Sequence, residues 1–450
     1  MDARKEQGSI AGKFLWTIGL YAGSLGVKFS TSIFLSRLLG AEILGVMVVA
    51  HAVRAGAQLF ADLGLEQHTI HYPKGAESGY LNTAWTVQII RGLLMSVGCL
   101  AVSPLLAGLY DVPVEVFFAV SAAPLLNSFA STAMFTLSRN LDVKVRNLFE
   151  FIVEVVGLAI NIVLAILIPS VWAPVLAILL TLAFRSLLSF ALPHQRHRLV
   201  LVREHVMAIL RFGRWIALSS LTLYVSLYVD RLYIGQEVPI ALLGIYGLAR
   251  SITDLPPVLA SRLGYQIVFP VMAAERNGSA NAGMERELLT SRRHFVLLTA
   301  LGLSVLLGWS DWAIRILYGA EFDAGGWMLF LLLFGTWASF LCGLNEAAVM
   351  GRGKPNYVSL INVARIAGMV VALPVGFAVG GLPGAILGLT VVEVVRYVLI
   401  LATQLRLGGG FLLQDGASTA VMLVVAAAFV AARMYLGLGV PWEGVAWGLN

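Results

Sequence analysis

The chain has 450 residues, 59% of them hydrophobic and 12% charged, with a formal net charge of +6 and a mean hydropathy of +0.85. That is about half the charged fraction of a soluble domain, which excludes a water-soluble globular protein; apolar runs of 20 or more residues exclude a transmembrane β-barrel, whose strands alternate over about ten. An all-α, polytopic membrane protein remains, and no basic cluster points to nucleic acid.

Apolar runs between charged or Gly/Pro breaks predict thirteen spans, at 14–39, 41–64, 82–109, 114–138, 146–168, 172–192, 212–236, 240–272, 294–318, 326–350, 356–379, 383–405 and 416–437. The leading segment MDARKEQGSIAGK shows no signal-peptide cleavage site before Trp16, so the first run is expected to be a retained span. The connections alternate in charge. One set carries Arg4, Lys5 and Lys13, then Lys74, Arg139 to Arg146, Arg196 to Arg211, Arg276 to Arg293, Arg352 with Lys354, and Arg406. The intervening set carries Glu42, Asp111, Glu115, Glu237, Glu321, Asp323 and Glu443. The positive-inside rule puts the first set, with the N-terminus, in the cytoplasm. Cys99 and Cys342 fall inside apolar runs, with no spacing for a metal or a disulfide framework.

The polar connection 194–211 halves the chain. Its segment Leu199–Leu210 mixes apolar residues with Arg203, Glu204 and His205 and predicts an amphipathic helix lying at the interface. The halves echo each other: Leu44-Gly45-Val46 opens the second span and Leu243-Gly244-Ile245 the eighth, with His51 and Arg250 each six residues after the glycine. Arg146-Asn147 starts the fifth span and Pro355-Asn356 the eleventh, again about 200 residues on. The expectation is a parallel six-plus-six duplication: an N-terminal lobe over 1–199, a C-terminal lobe over 200–408, and an extra span in 409–450.

Polar residues recur at helical spacing within spans. Tyr21, Ser24, Lys28 and Thr31 share a face of the first, and His51, Arg54, Gln58 and Asp62 a face of the second. Ser219, Thr222, Ser226 and Asp230 do so in the seventh, Gly247, Arg250, Asp254 and Ser261 in the eighth, and Thr336, Ser339, Gly343 and Glu346 in the tenth. Hydroxyl stripes often serve only as contacts between packed helices. Ionised groups are costlier: Lys28, Arg54 and Arg250 lie deep in their runs, and Asp254 is the only acid expected at that depth. The excess positive charge predicts a wet cavity that attracts an anion, with Lys28, Arg54, Arg250, Asp254, His51, Gln58 and Asp230 as its candidate contacts. Glu393 and Arg396, three apart, read as an intrahelical pair; Glu150 and Glu154, with Arg91 and Arg185, read as ion pairs or a cation site; Arg365 has no evident partner. Pro256 and Pro257 predict a kink just after Arg250 and a candidate hinge. GxSxG, HExxH, Walker A and DxD motifs are absent, so neither catalysis nor ATP hydrolysis is expected and no cofactor is implied; an ion gradient, with H+ or Na+ as the coupling ion, the membrane potential or the substrate's own gradient is left as the drive.

The segments Phe34–Gly45 (FLSRLLGAEILG), Phe60–Leu65 (FADLGL), Asp230–Gly235 (DRLYIG), Leu243–Arg250 (LGIYGLAR) and Phe269-Pro270 occur in order over most of the chain. They resemble the polysaccharide or O-antigen flippases of the multidrug/oligosaccharidyl-lipid/polysaccharide exporter superfamily. That resemblance implies two six-helix lobes around a central cavity in a bacterial inner membrane, with alternating access moving undecaprenyl-pyrophosphate-linked oligosaccharide from the cytoplasmic to the periplasmic leaflet. It also implies membrane lipids and polysaccharide polymerase or assembly proteins as partners. The related lipid II flippases carry cations on their first, second and eighth helices, where this chain has Lys28, Arg54 and Arg250. A cation-coupled drug or metabolite antiporter on the same fold is the nearest alternative. A membrane glycosyltransferase or polymerase is more distant, because it would need a long external loop bearing catalytic residues.

Overall fold

A computed structural model describes residues 23–445 other than 25, 61, 141, 194, 195, 280 and 281; Tyr21 of the first polar stripe lies outside the described residues. Among these residues every regular element is helical. The chain divides into two compact units, 1–244 and 245–450. Leu94, Leu105, Leu167, Val371 and Leu413 are exposed on long apolar helices, the surface a lipid solvent selects, and the chain is an all-α polytopic membrane protein.

The first unit contains α1 (26–38), α2 (Ala41–Phe60), α3 (Leu65–His71), α4 (Ser78–Tyr110), α5 (Val114–Val120), α6 (Ala123–Ser128), α7 (Ala133–Arg139), α8 (Val143–Leu167), α9 (Trp172–Ser189), α10 (Arg203–Glu237) and the start of α11 (Ile240–Thr253). The fourth expected span is broken into α5, α6 and α7, with a bend of 54° before α7. A break inside apolar surroundings frees carbonyls that must find donors. Gln88 supplies them, its Nε2 donating to the carbonyls of Ser128 at 2.7 Å and Ala130 at 3.0 Å, while the Ser131 N–H donates to Ser189 Oγ at 2.7 Å.

The interfacial helix expected over Leu199–Leu210 is not a separate element. Residues 196–202 are extended, and α10 then runs unbroken from Arg203 through the seventh span to Glu237. The extended piece is pinned to α4: the N–H groups of Arg198, Val200 and Val202 donate to Asn82 Oδ1, Thr86 Oγ1 and Thr83 Oγ1 at 3.0, 3.0 and 3.2 Å. Side chains on α4 thus take the donors that a surface helix would otherwise bond internally. Because α10 packs on α2 and α4, it is counted with the first unit.

The two glycines of the repeated Leu-Gly motif meet. A Cβ at Gly45 would overlap the Ile240 carbonyl oxygen, and one at Gly244 would overlap the Ala41 carbonyl oxygen. The starts of α2 and α11 therefore touch backbone to backbone, as small residues allow between membrane helices. Gly45→Val is expected to destabilise the protein by roughly 1–3 kcal/mol through overpacking. Thermal melting in detergent checks this against Gly98→Val, where a Cβ meets no atom within 4 Å; equal melting temperatures would contradict it.

The second unit continues with α12 (Leu255–Leu263), a π turn at Gly264–Val268, α13 (Phe269–Arg276), α14 (Ala282–Gly308), α15 (Ser310–Leu317), α16 (Gly325–Gly351), α17 (Pro355–Arg406) and α18 (Leu412–Tyr435). Its axis is α16, buried over most of its length against α12, α14, α15 and α17. Within α17, Gly381 takes φ 59°, which favours glycine, and the chain reverses there. Gly376 faces Gly384, Ala372 faces Gly388 and Gly368 faces Val392, so the two legs are antiparallel and supply the eleventh and twelfth spans. The ninth span bends by 83° between α14 and α15. Arg433, fully buried, holds that bend by donating to the Gly308 carbonyl at 2.9 Å and to both oxygens of Asp311 at 2.6 and 2.7 Å.

Candidate functional site

Inside the first unit a polar cavity of about 220 Å3 is lined by Gln58, Gln88, Asn127 and three pairs of opposite charge. Two pairs are tight. Arg185 donates to both oxygens of Glu150 at 2.9 and 2.6 Å, and Arg146 donates to Glu66 at 2.5 Å and to Ser138 Oγ at 2.6 Å. The third is loose, with Arg91 Nη1 4.0 Å from Asp62 Oδ1. The looseness has a local cause. Asp62 stands where α2 has ended, and its oxygens accept from the Gly64 N–H at 2.9 Å and the Ser220 hydroxyl at 3.2 Å.

A narrower crevice adjoins this cavity, sharing Gln58, Arg91 and Asn127 and adding Arg54. The spacing on α2 aligns Arg54 and Gln58, since a step of four residues keeps both on one helical face, and Asp62 follows just past the end of the helix. Arg54 has no carboxylate within 4 Å among the described residues, and its buried Nε lacks a hydrogen-bond partner there. A guanidinium in an apolar helix costs several kcal/mol unless water or a counter-ion meets it. The crevice is where either could.

Lys28, on α1, pairs with Glu154 of α8 at 3.0 Å. This corrects the expectation that Asp254 alone stands at the depth of the cations: Glu154, which the sequence suggested for Arg91 or Arg185, is a second such acid. Glu154 also lies within electrostatic reach of Arg54. His51, half-buried on α2, faces the charges of Arg54 and Arg231, and Asp230 is completely buried on α10. In the second unit Arg250 pairs with Asp254 at 3.5 Å, four residues on. Asp254 ends α11, and Pro256 and Pro257 lie in the first turn of α12, where a missing N–H costs nothing, so the helix breaks at the expected place.

The other buried charges are knit together. Arg396 donates to Glu346 at 2.7 Å and to Glu393 at 3.2 Å, and Arg365 donates to Glu393 at 2.6 Å, which supplies the partner the sequence did not reveal. The Glu393–Arg396 pair is the intrahelical one expected. Arg292 meets Asp415 at 2.6 Å, and Asn345 and Tyr397 donate to the second Asp415 oxygen. Among the described residues no three His, Cys, Asp or Glu side chains are grouped to hold a metal ion. Arg91 and Asn127, which line both spaces, and Glu154, which pairs with Lys28, stand beside the candidate residues without being among the candidate contacts the sequence predicts. The i,i+4 spacing of Glu150 and Glu154 signals an ion-pair or cation site, but it does not show that Lys28 is the partner of Glu154.

Residues 34–324 match the family described as polysaccharide biosynthesis protein. The chain is similar to the succinoglycan biosynthesis transport protein ExoT of Rhizobium meliloti (strain 1021), with 23% identity over 356 residues covering 74% of this chain and 69% of that one. It is also similar to the lipopolysaccharide biosynthesis protein WzxC of Escherichia coli (strain K12), with 20% identity over 380 residues, 83% of this chain and 76% of the other. Among solved structures it resembles the lipid II flippase MurJ in an inward closed conformation, with a TM-score of 0.67 at 11% identity, covering 94% of this chain and 99% of that one.

Proposed function

This chain belongs to the polysaccharide biosynthesis protein family, and from that premise we propose that it is a flippase moving a polyprenyl-pyrophosphate-linked oligosaccharide, undecaprenyl in a bacterial inner membrane, from the cytoplasmic to the periplasmic leaflet. The observation that carries the reading is Arg54: a cation with no carboxylate within 4 Å among the described residues, on an apolar helix, lining a crevice that adjoins the polar cavity. The pyrophosphate stays ionised and is the part of the substrate costliest to bring through lipid, so it is the part that needs a cationic host. Arg54, Lys28 and Arg250 are the groups we assign to it, with Arg91, Gln58 and Asn127 beside Arg54. Polar lining suits the sugars, and the tail stays in the bilayer.

Movement by alternating access, with the break at Asp254-Leu255-Pro256-Pro257 as a hinge, and exchange against H+ or Na+ complete the reading. The N-terminus is cytoplasmic in this scheme, and polymerase or assembly proteins receive the product. The test is genetic. Cells lacking the protein are expected to accumulate lipid-linked oligosaccharide on the cytoplasmic leaflet and to lose the corresponding surface polymer; normal polymer with no accumulation would overturn the reading.

A further inference from the structure

Within the first unit one carboxylate stands among the cations assigned to the substrate. Glu154 Oε1 is 3.0 Å from Lys28 Nζ, and Arg54 lies within its electrostatic reach. The other acid of the same face, Glu150 one turn earlier, is held by both nitrogens of Arg185. On α7 the one basic residue, Arg139, is turned to the carbonyls of Ile70 and Tyr72. The two acids of α8 are paired differently: Glu150–Arg185 is bidentate with both side chains 31% exposed, whereas Lys28–Glu154 is a single contact with the lysine side chain 61% exposed. A monodentate, open ion pair on a flexible stem is cheap to part.

We propose that Glu154 is a tethered counter-ion, occupying the anion's place on Lys28, within electrostatic reach of Arg54, while the carrier is empty and yielding it when the substrate pyrophosphate arrives. This rests on the reading of Lys28 and Arg54 as pyrophosphate hosts and adds a specific role for an acid beside them. The physical reason is charge compensation. An empty site of two cations is costly to carry through a conformational change in low dielectric, and a carboxylate on a neighbouring helix neutralises part of that charge without a bound ion. The same carboxylate competes with the substrate, weakening the bound state and returning to Lys28 as the product leaves. Glu154 is thereby a positioning residue for release, and it sets affinity against turnover.

The test uses the full chain in nanodiscs and a water-soluble short-prenyl pyrophosphoryl sugar, whose diesterified phosphates keep their charge across neutral pH. Glu154→Gln, isosteric and uncharged, is expected to bind this probe roughly five-fold more tightly, the equivalent of one open ion pair removed from competition. In proteoliposomes the same variant is expected to show a lower maximal flipping rate, because nothing displaces the product. Glu154→Asp, which keeps the charge, restores both values towards wild type and serves as the second probe if the Gln variant does not accumulate. A merely structural role would lower binding and rate together and would not split them. Unchanged affinity in Glu154→Gln, while Arg54→Gln still loses the probe, would overturn the tethered counter-ion and leave the flippase reading standing. Probe binding that ignores Arg54→Gln would overturn that reading and the inference with it.

Discussion

Cells whose only copy carries Arg54→Gln are expected to lose surface polysaccharide while keeping normal amounts of the protein in the membrane. The two halves of that expectation have one cause. Arg54 has no carboxylate within ion-pair distance among the described residues, so removing its charge leaves no buried acid behind and costs little stability. For a bound pyrophosphate the loss is large, since hydrogen bonds to ionised partners contribute about 1.5–3 kcal/mol each, and flipping should slow about ten- to hundred-fold. Arg54→Lys, a compact cation, should recover part of the rate but not the bidentate geometry. Arg250→Gln should act in the same direction and more weakly on stability than a buried pair, because Asp254 is 41% exposed and water can take over its carboxylate. Quantifying surface polymer and membrane protein from the same cultures checks this, and unchanged polymer in both variants would refute the cations' role.

Asp415→Ala is expected to fail in the opposite way, by loss of the folded protein. Arg292 is 1% exposed and Asp415 0%, and the same carboxylate accepts from Asn345 and Tyr397. Removing it strands a buried guanidinium over the Phe411 ring and two unsatisfied donors besides. Breaking such a pair costs roughly 3–5 kcal/mol, a large share of the stability of most proteins. The checks are the melting temperature in detergent and the amount of protein reaching the membrane. A variant that melts with the wild type would show that the network contributes nothing net. Arg54→Gln run beside it separates a binding residue from a structural one, since the first should change function at constant melting and the second should change both.

Run length was enough to place helices, because lipid demands about 20 apolar residues per crossing. It does not report where a span breaks. The interruptions before α7 and between α14 and α15 depend on donors from distant residues, Gln88 and Arg433, which no local pattern displays. For the same reason α10 reads as two pieces in the sequence: the polar residues near Arg203 look like an interface, and only the bonds that Asn82, Thr83 and Thr86 make to 198–202 show where the helix begins. Periodicity put Arg54, Gln58 and Asp62 on one face, and they do line adjoining polar spaces. It could not tell which acid Lys28 or Arg365 would meet, because helical spacing decides a side chain's direction and not its neighbour on another helix.

A cationic crevice that hosts the pyrophosphate must let the chain move a lipid-linked anion between leaflets. The direct measurement is leaflet exchange of a fluorescent polyprenyl-pyrophosphate-linked oligosaccharide in proteoliposomes made with wild type, Arg54→Gln or no protein. Exchange with wild type that falls to near the protein-free rate in Arg54→Gln is the predicted result. Wild-type exchange no faster than protein-free liposomes, or equal rates in wild type and Arg54→Gln, would contradict it.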